Sequence, residues 1–239
     1  MKQQQGIALR KLRDAWDNAS GFFQELGGVI YPGSATSIFV EDSSRQPTTG
    51  TIPFKIKPIV FDVPERAKYR NERIFIVAKG RISVCAADTK TIRTKDFSTE
   101  VAYFRRQDDA DKNVMKLDHV FGAHFDYAPS HKGHPIFHAQ MNDLDALKSA
   151  VAEAHRVPTD DGSNYMSCIL RNVRLPTAQM DILSLMLQLA ADHLIYEKSQ
   201  PDQMKALKDL AAQIRMLKSA ADLVQPLTAE QCTRAVHWY

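Results

Sequence analysis

Between His119 and Gln140 the chain reads HVFGAHFDYAPSHKGHPIFHAQ, which contains five of its eight histidines. Imidazole titrates near neutrality, so two of them held together can pass protons in both directions at physiological pH. Apolar residues here fall at alternate positions, the period of a strand. Met115, Leu117, His119, Phe121, Ala123, Phe125 and Tyr127, then Phe137, Ala139 and Met141, take one side. Lys116, Asp118, Val120, Gly122, His124 and Asp126, then Ile136, His138 and Gln140, take the other. A hairpin closing around His131 places residue 124 near 138 and 126 near 136. That pairing gathers His124, Asp126, His138 and Gln140 onto one polar patch, because an even shift in register keeps side chains on their face. His131 and His134 fall in the turn, and His119 falls among the core residues as a hydrogen-bonded histidine.

Two histidines beside a carboxylate suit metal-free cleavage of a phosphodiester, with RNA the expected substrate. One imidazole takes the proton of a ribose 2′-OH while the other protonates the leaving oxygen. His124 and His138 are the expected acid and base, with Asp126 orienting one ring. An arginine on a neighbouring strand would hold the phosphate and offset its developing charge. Arg81, Arg105, Arg106, Arg171 and Arg174 are the candidates, with Gln140 a further polar contact. His124, Asp126 and His138 also make a facial triad for one divalent metal, iron, manganese or zinc. The chain has no HExxH to support it, so the expected cofactor is none or a single divalent metal. The alternative reading is a non-enzymatic binding or assembly subunit of a bacterial protein complex, with the histidine face purely structural.

The elements that must position these residues are legible around them. Residues 5–26 carry Ile7, Leu9, Leu12, Trp16, Phe22 and Phe23 at helical spacing, closed by Gly27-Gly28. IPFKIKPIVFDV is β-rich, but Pro53 and Pro58 predict an edge or merely extended segment. Strands are expected at 73–87, 98–107, 113–128, 135–141 and 163–176, with a short helix at 145–155. Beyond Pro176 the chain turns helical, with Thr177 a natural N-cap. Residues 178–196 are apolar on almost every side, so they are expected to be the most buried element. Asp192 lies within that run and is expected to meet a sheet arginine such as Arg171 or Arg174. Residues 202–222 carry one apolar stripe, and a short helix follows Thr228.

Strands followed by helices predict an α+β fold: an antiparallel sheet of about five strands, an N-terminal helix and a C-terminal helical layer on one face. A single domain is expected over 1–239, strand-rich at 50–176 and helical at 177–239. The helices at 178–196 and 202–222 are the expected surfaces for a homodimer or a protein partner.

Composition sets the outer limits. Charged residues are 25% of the chain and the net charge is +3, which excludes a nucleic-acid-coating protein while allowing a locally basic face. Three scattered cysteines, Cys85, Cys168 and Cys232, form no CxxC pair and are expected to be reduced thiols. The most apolar window, MDILSLMLQLAADHLIY, is too short and too polar for a bilayer, so no membrane contact and a cytoplasmic location are expected. Signatures of dinucleotide enzymes, P-loop NTPases, α/β-hydrolases and kinases are missing from the sequence.

Overall fold

A computed structural model of the chain describes residues 2–45, 51–64, 73–86, 92–109, 114–127, 137–142, 144–164, 174–176, 180–195 and 201–215. The chain opens on helix α1 (Lys2–Glu25), followed by β1 (Val29–Tyr31), the short α2 (Ala35–Ile38) and β2 (Phe39–Glu41). Four long strands come next: β3 (Thr51–Val63), β4 (Arg73–Ala86), β5 (Ile92–Asp109) and β6 (Val114–Tyr127). Then follow β7 (Phe137–Met141), a 3-10 turn (Asp145–Leu147), α3 (Lys148–His155), β8 (Thr159–Asn164), β9 (Arg174–Pro176), α4 (Ile182–His193) and α5 (Pro201–Arg215). The α+β class is as the sequence predicts. The sheet is larger than expected, with nine described strands: seven in the order β1-β3-β4-β5-β6-β7-β9, β2 paired with β3, and β8 paired with β6. None of the described helices is long and apolar enough to cross a membrane.

Two placements correct the sequence reading. The β3 segment is not an edge: it pairs with β4 on one side and with β1 and β2 on the other. Its prolines are tolerated because of where they fall. Pro58 sits in a bulge between Ile56 and Ile59, where the β3–β4 ladder is already interrupted. The carbonyl of Pro53 accepts from the Asp42 amide, so its nitrogen points toward β2 and the β4 ladder loses no donor. The pairing at 163–176 is not antiparallel throughout either. Thr159–Asn164 pairs with β6 in parallel, Arg174–Pro176 pairs with β7, and 165–173 lies outside the described residues.

The helices cover both faces, not one. On the first, here the helical face, α1 and α4 bury Leu12, Trp16, Phe23, Leu183 and Met186 against Ile59, Phe61, Ile76, Ile82 and Val101. Each such side chain removed from water contributes about 1.5–3 kcal/mol. The second face carries a smaller core, where Leu144, Leu147 and Val151 meet Val60, Phe75, Val77, Ala102, Phe104, Met115 and Leu117. α3 covers only that half of the second face.

α4 is buried as expected, with Ile182, Leu183, Leu185, Met186, Leu187, Leu189 and Ala190 out of solvent. Its N-cap is Asp181, whose carboxylate accepts from the amides of Leu183 and Ser184 and from the Ser184 hydroxyl. The expected cap, Thr177, lies outside the described residues. Asp192 proves to be exposed and accepts from the Gln188 amide at 2.8 Å; the side chains of its expected partners, Arg171 and Arg174, lie outside the described residues. α5 turns Ala206, Leu207, Leu210 and Ala211 toward the helical core. Cys85 is a half-buried free thiol; Cys168 and Cys232 lie outside the described residues.

His155, in the last turn of α3, packs on Phe75 at 4.7 Å and edge-on to Tyr31 at 5.0 Å between ring centroids. Burial holds its imidazole below the ordinary value; Asp62 pulls the other way, and Arg73 and Arg106 push it lower still. The 4.0 Å approach to Asp62 is therefore a neutral contact at pH 7, and Asp62 is neutralised by Arg73.

Two outcomes follow for stability. A histidine whose folded pKa is depressed favours the fold above its unfolded pKa, about 6.5, and loses that contribution as pH falls toward the folded value. Wild type is expected to lose more of its urea midpoint between pH 7.5 and 5.5 than His155→Phe; equal losses contradict the assignment. The second outcome concerns glycines. A Cβ at Gly80 would overlap the Ser98 carbonyl oxygen, whereas nothing lies within 4 Å of one at Gly21 in α1. Gly80→Ala is expected to destabilise by about 1–3 kcal/mol by forcing β4 from β5. Gly21→Ala is expected to stabilise by about 0.5–1 kcal/mol, both read from thermal melts.

Candidate functional site

The second face changes character in register along its strands. Under α3, Phe75, Phe104 and His119 lie side by side on β4, β5 and β6. Next come Val77, Ala102 and Gly122. A Cβ at Gly122 would overlap the carbonyl oxygen of Asn142 and touch Leu144, so only glycine lets the chain leaving β7 cross the sheet there. Beyond that crossing the rows are polar. Lys79, Glu100, His124, Gln140 and Arg174 hold successive cross-strand positions on β4, β5, β6, β7 and β9. The next row is Lys55, Arg81, Ser98, Asp126 and His138 on β3 to β7.

The β6–β7 register is offset from the predicted one. His138 is opposite Asp126 and Gln140 is opposite His124, a shift of two residues. Because the shift is even, it keeps the four positions together. The side chain of His138 lies outside the described residues, as does that of Arg174. His138 is thus placed by its backbone register, one strand from Asp126 and diagonal to His124.

The His124 ring sits among three strands' polar groups. Its Nε2 is 2.9 Å from Asp126 Oδ1 and 2.9 Å from Ser98 Oγ. The His124 side chain is 26% exposed and that of Asp126 14%, so the dyad is sheltered yet open to a solute. With Nε2 protonated, the ring donates to Asp126 and Nδ1 becomes the nitrogen that can accept a proton. Serine and carboxylate share one ring nitrogen, so this is not a serine–histidine–aspartate relay, where they occupy opposite nitrogens. Nearby carboxylates are already engaged: Glu100 with Lys79 at 3.0 Å, and Asp96 with Arg45 at 3.2 Å and the Ser83 hydroxyl at 3.0 Å.

The candidate arginines separate clearly. Arg81 is exposed and lies in the row of Asp126, two strands away, roughly 10 Å at the usual strand spacing. Arg174 holds the position next to Gln140 on the other flank. Arg105 is not part of the site: it pairs with Asp118 at 2.8 Å on the helical face. Arg106 is on the second face but opposite Arg73, six residues along β5 from Glu100 and so about 20 Å away. Arg171 lies outside the described residues, as do His131 and His134.

A bulge explains why Arg105 and Asp118 turn away. Between Tyr103 and Phe104 of β5, strand β6 inserts Val120, which is 49% exposed. The extra residue reverses the parity of β6. Met115, Leu117 and His119 serve the core under α3, whereas Phe121, Ala123, Phe125 and Tyr127 serve the helical face. The odd positions are core-forming as the sequence predicts, but they belong to two cores. Asp118, expected on the polar face, is buried with Arg105. His119 is fully buried and edge-on to Phe104.

Among the described residues no group of three metal-ligating side chains could hold a metal ion. The metal reading of His124, Asp126 and His138 turns on the third of these, whose side chain is not among them. Sequence reasoning missed Ser98, Lys55 and the Lys79–Glu100 pair. Their strands show the right alternation, but which residue lies across from His124 depends on register alone. Neither a family model, nor a curated protein, nor a solved structure matches this chain.

Proposed function

We propose that the polar half of the second face cleaves RNA phosphodiesters without a metal. The observation that carries this reading is the His124 ring, held through Nε2 by Asp126 and Ser98, with an exposed arginine two strands away in the row of Asp126. Nδ1 of His124 takes the proton of the ribose 2′-OH. The 2′ oxygen forms a bond to phosphorus as the P–O5′ bond breaks, and His138 donates a proton to the departing 5′ oxygen. The products are a 2′,3′-cyclic phosphate and a free 5′-OH. Asp126 fixes the ring and stabilises its cation once the proton has arrived. Arg81, two strands away, holds a flanking phosphate of the same chain, with Gln140 a further polar contact beside His124.

The role of a subunit docking through its helices draws on fewer observations. The large apolar side chains left exposed among the described residues, Val29, Val40, Val120 and Met204, sit on four separate elements. Scattered singly, they form no patch of the kind that marks an interface.

Purified protein is expected to cut end-labelled single-stranded RNA in the presence of EDTA and to leave cyclic phosphate ends. His124→Ala and His138→Ala should each slow cutting by about 10²-fold or more, with a bell-shaped pH profile in the wild type. A 2′-deoxy nucleotide at the cleaved position should block it. Loss of activity in EDTA, or cutting of the deoxy substrate, would transfer the site to a metal-dependent mechanism and end this one.

A further inference from the structure

Lys55 and Arg81 lie directly across from each other on β3 and β4, at the end of the row that holds Ser98, Asp126 and His138. Both are exposed. Like charges in direct cross-strand contact oppose sheet pairing unless something neutralises them. Their neighbours do so only in part. Glu100 is committed to Lys79, and Asp96 to Arg45 and Ser83. Asp42, just past the end of β2, offsets part of the Lys55 charge while also accepting from the Ser44 hydroxyl and amide, and it leaves Arg81 unaddressed.

The polar rows also lack something. From Lys55 and Lys79 across to Gln140, no described side chain on this half of the face is a phenylalanine, tyrosine or tryptophan, and the one described ring, His124, is tied to Asp126 and Ser98. Proteins that hold single strands through their bases stack them on aromatic rings. Cations on a surface with no large stacking ring address the phosphates, which carry no base readout. Among the described residues the sheet is open here, with no groove for a duplex and no helix or ribbon raised to enter one.

We infer that Lys55 and Arg81 form a backbone clamp for single-stranded nucleic acid, which crosses the strands along this row toward Asp126 and His138 without regard to base sequence. The inference rests on the phosphodiester reading of the same face and adds the class of substrate and the way it is held. Arg81 lies roughly 10 Å from Asp126 at the usual strand spacing, so the clamp grips a phosphate flanking the one that reacts. Because the clamp meets phosphate rather than the 2′-OH, it holds DNA and RNA single strands alike. Only RNA is then cut.

The test uses a fluorescent single-stranded DNA oligonucleotide, which has no 2′-OH and cannot be cleaved by the proposed route. Anisotropy titrations in a KCl series give the salt slope for wild type, for Lys55→Ala/Arg81→Ala and for Lys205→Ala/Lys208→Ala on α5. Both pairs of residues are exposed, and thermal melts check that each variant folds. Removing two phosphate contacts should flatten the slope of log affinity against log salt by about 1.4. This makes the loss of affinity between about 50 and 200 mM KCl about sevenfold smaller than in wild type. The α5 variant should keep the wild-type slope, and scrambled oligonucleotides should bind equally.

A wild type that binds no oligonucleotide overturns the inference. So does a Lys55→Ala/Arg81→Ala slope equal to that of wild type, or an α5 variant that flattens it as much. The two readings fail separately. Clamp-dependent binding of DNA with no cutting of RNA leaves the clamp standing and removes the catalysis. Cutting of RNA that ignores both cations does the reverse.

Discussion

The arrangement of this face depends on one inserted residue. Val120 bulges from β6 opposite the Tyr103–Phe104 step of β5, and from that point the strand's odd and even side chains exchange faces. Without it, the pattern that buries Leu117 and His119 under α3 would carry Phe121, Ala123, Phe125 and Tyr127 onto the same face, and His124 and Asp126 beneath α1 and α4. With it, both apolar runs find a core and the dyad faces outward. The outer edge of β6 changes partner at the same place. β8 pairs in parallel with residues up to His119, and β7 pairs antiparallel from Ala123 onward. An interruption in the ladder there is where two neighbours can meet without sharing one donor row.

Cover decides the rest. His119 and His124 are five residues apart on one strand. The first is sealed against Phe104 and the second has a quarter of its side chain in solvent. The crossing of Asn142 and Leu144 over Gly122 divides the two environments, and the small residues Ala102 and Gly122 make room for it. Glycine there is a steric requirement of a close backbone approach, with no demand on φ. The site is open because α3 is short, eight residues laid over one half of a face whose strands run to 14 and 18.

This division was written in the sequence, though in a form that alternation alone does not reveal. IVFDV at 59–63, IFIVA at 74–78 and VAYF at 101–104 are nearly continuous apolar runs, the signature of strands buried on both faces. IPFKI at 52–56 and KGRISV at 79–84 carry polar residues that break the run, as expected where one face is open. The runs pair with each other, and the broken segments pair with each other. Read together they predict a face covered at one end and bare at the other. A five-strand sheet with helices on one side follows from noticing only the alternation. The long helices and strands were legible because their periodicity is strong. The bulge was not, because a lone Val between His119 and Phe121 looks the same in a regular strand. The hairpin closure missed by two residues, since hydrophobic parity fixes register only to the nearest even step.

The charges on the open half explain why a dyad alone would make a poor phosphodiester site. Asp126 and Glu100 stand beside His124, and both repel an incoming phosphate. Lys79 cancels Glu100 at 3.0 Å. His124 offsets Asp126 only while the ring is protonated, and the base form of the ring is the neutral one. In the state ready to accept a proton, the ring no longer counters the carboxylate beside it. Positive charge must come from its flanks if an anion is to approach. Lys55 and Arg81 supply it on one side, at a distance that leaves the Asp126–His124 bond intact. A cation closer in would pair with Asp126 and release the ring. In the proposed mechanism, separating Lys55 and Arg81 from the dyad by two strands would reconcile an orienting carboxylate with an anionic substrate.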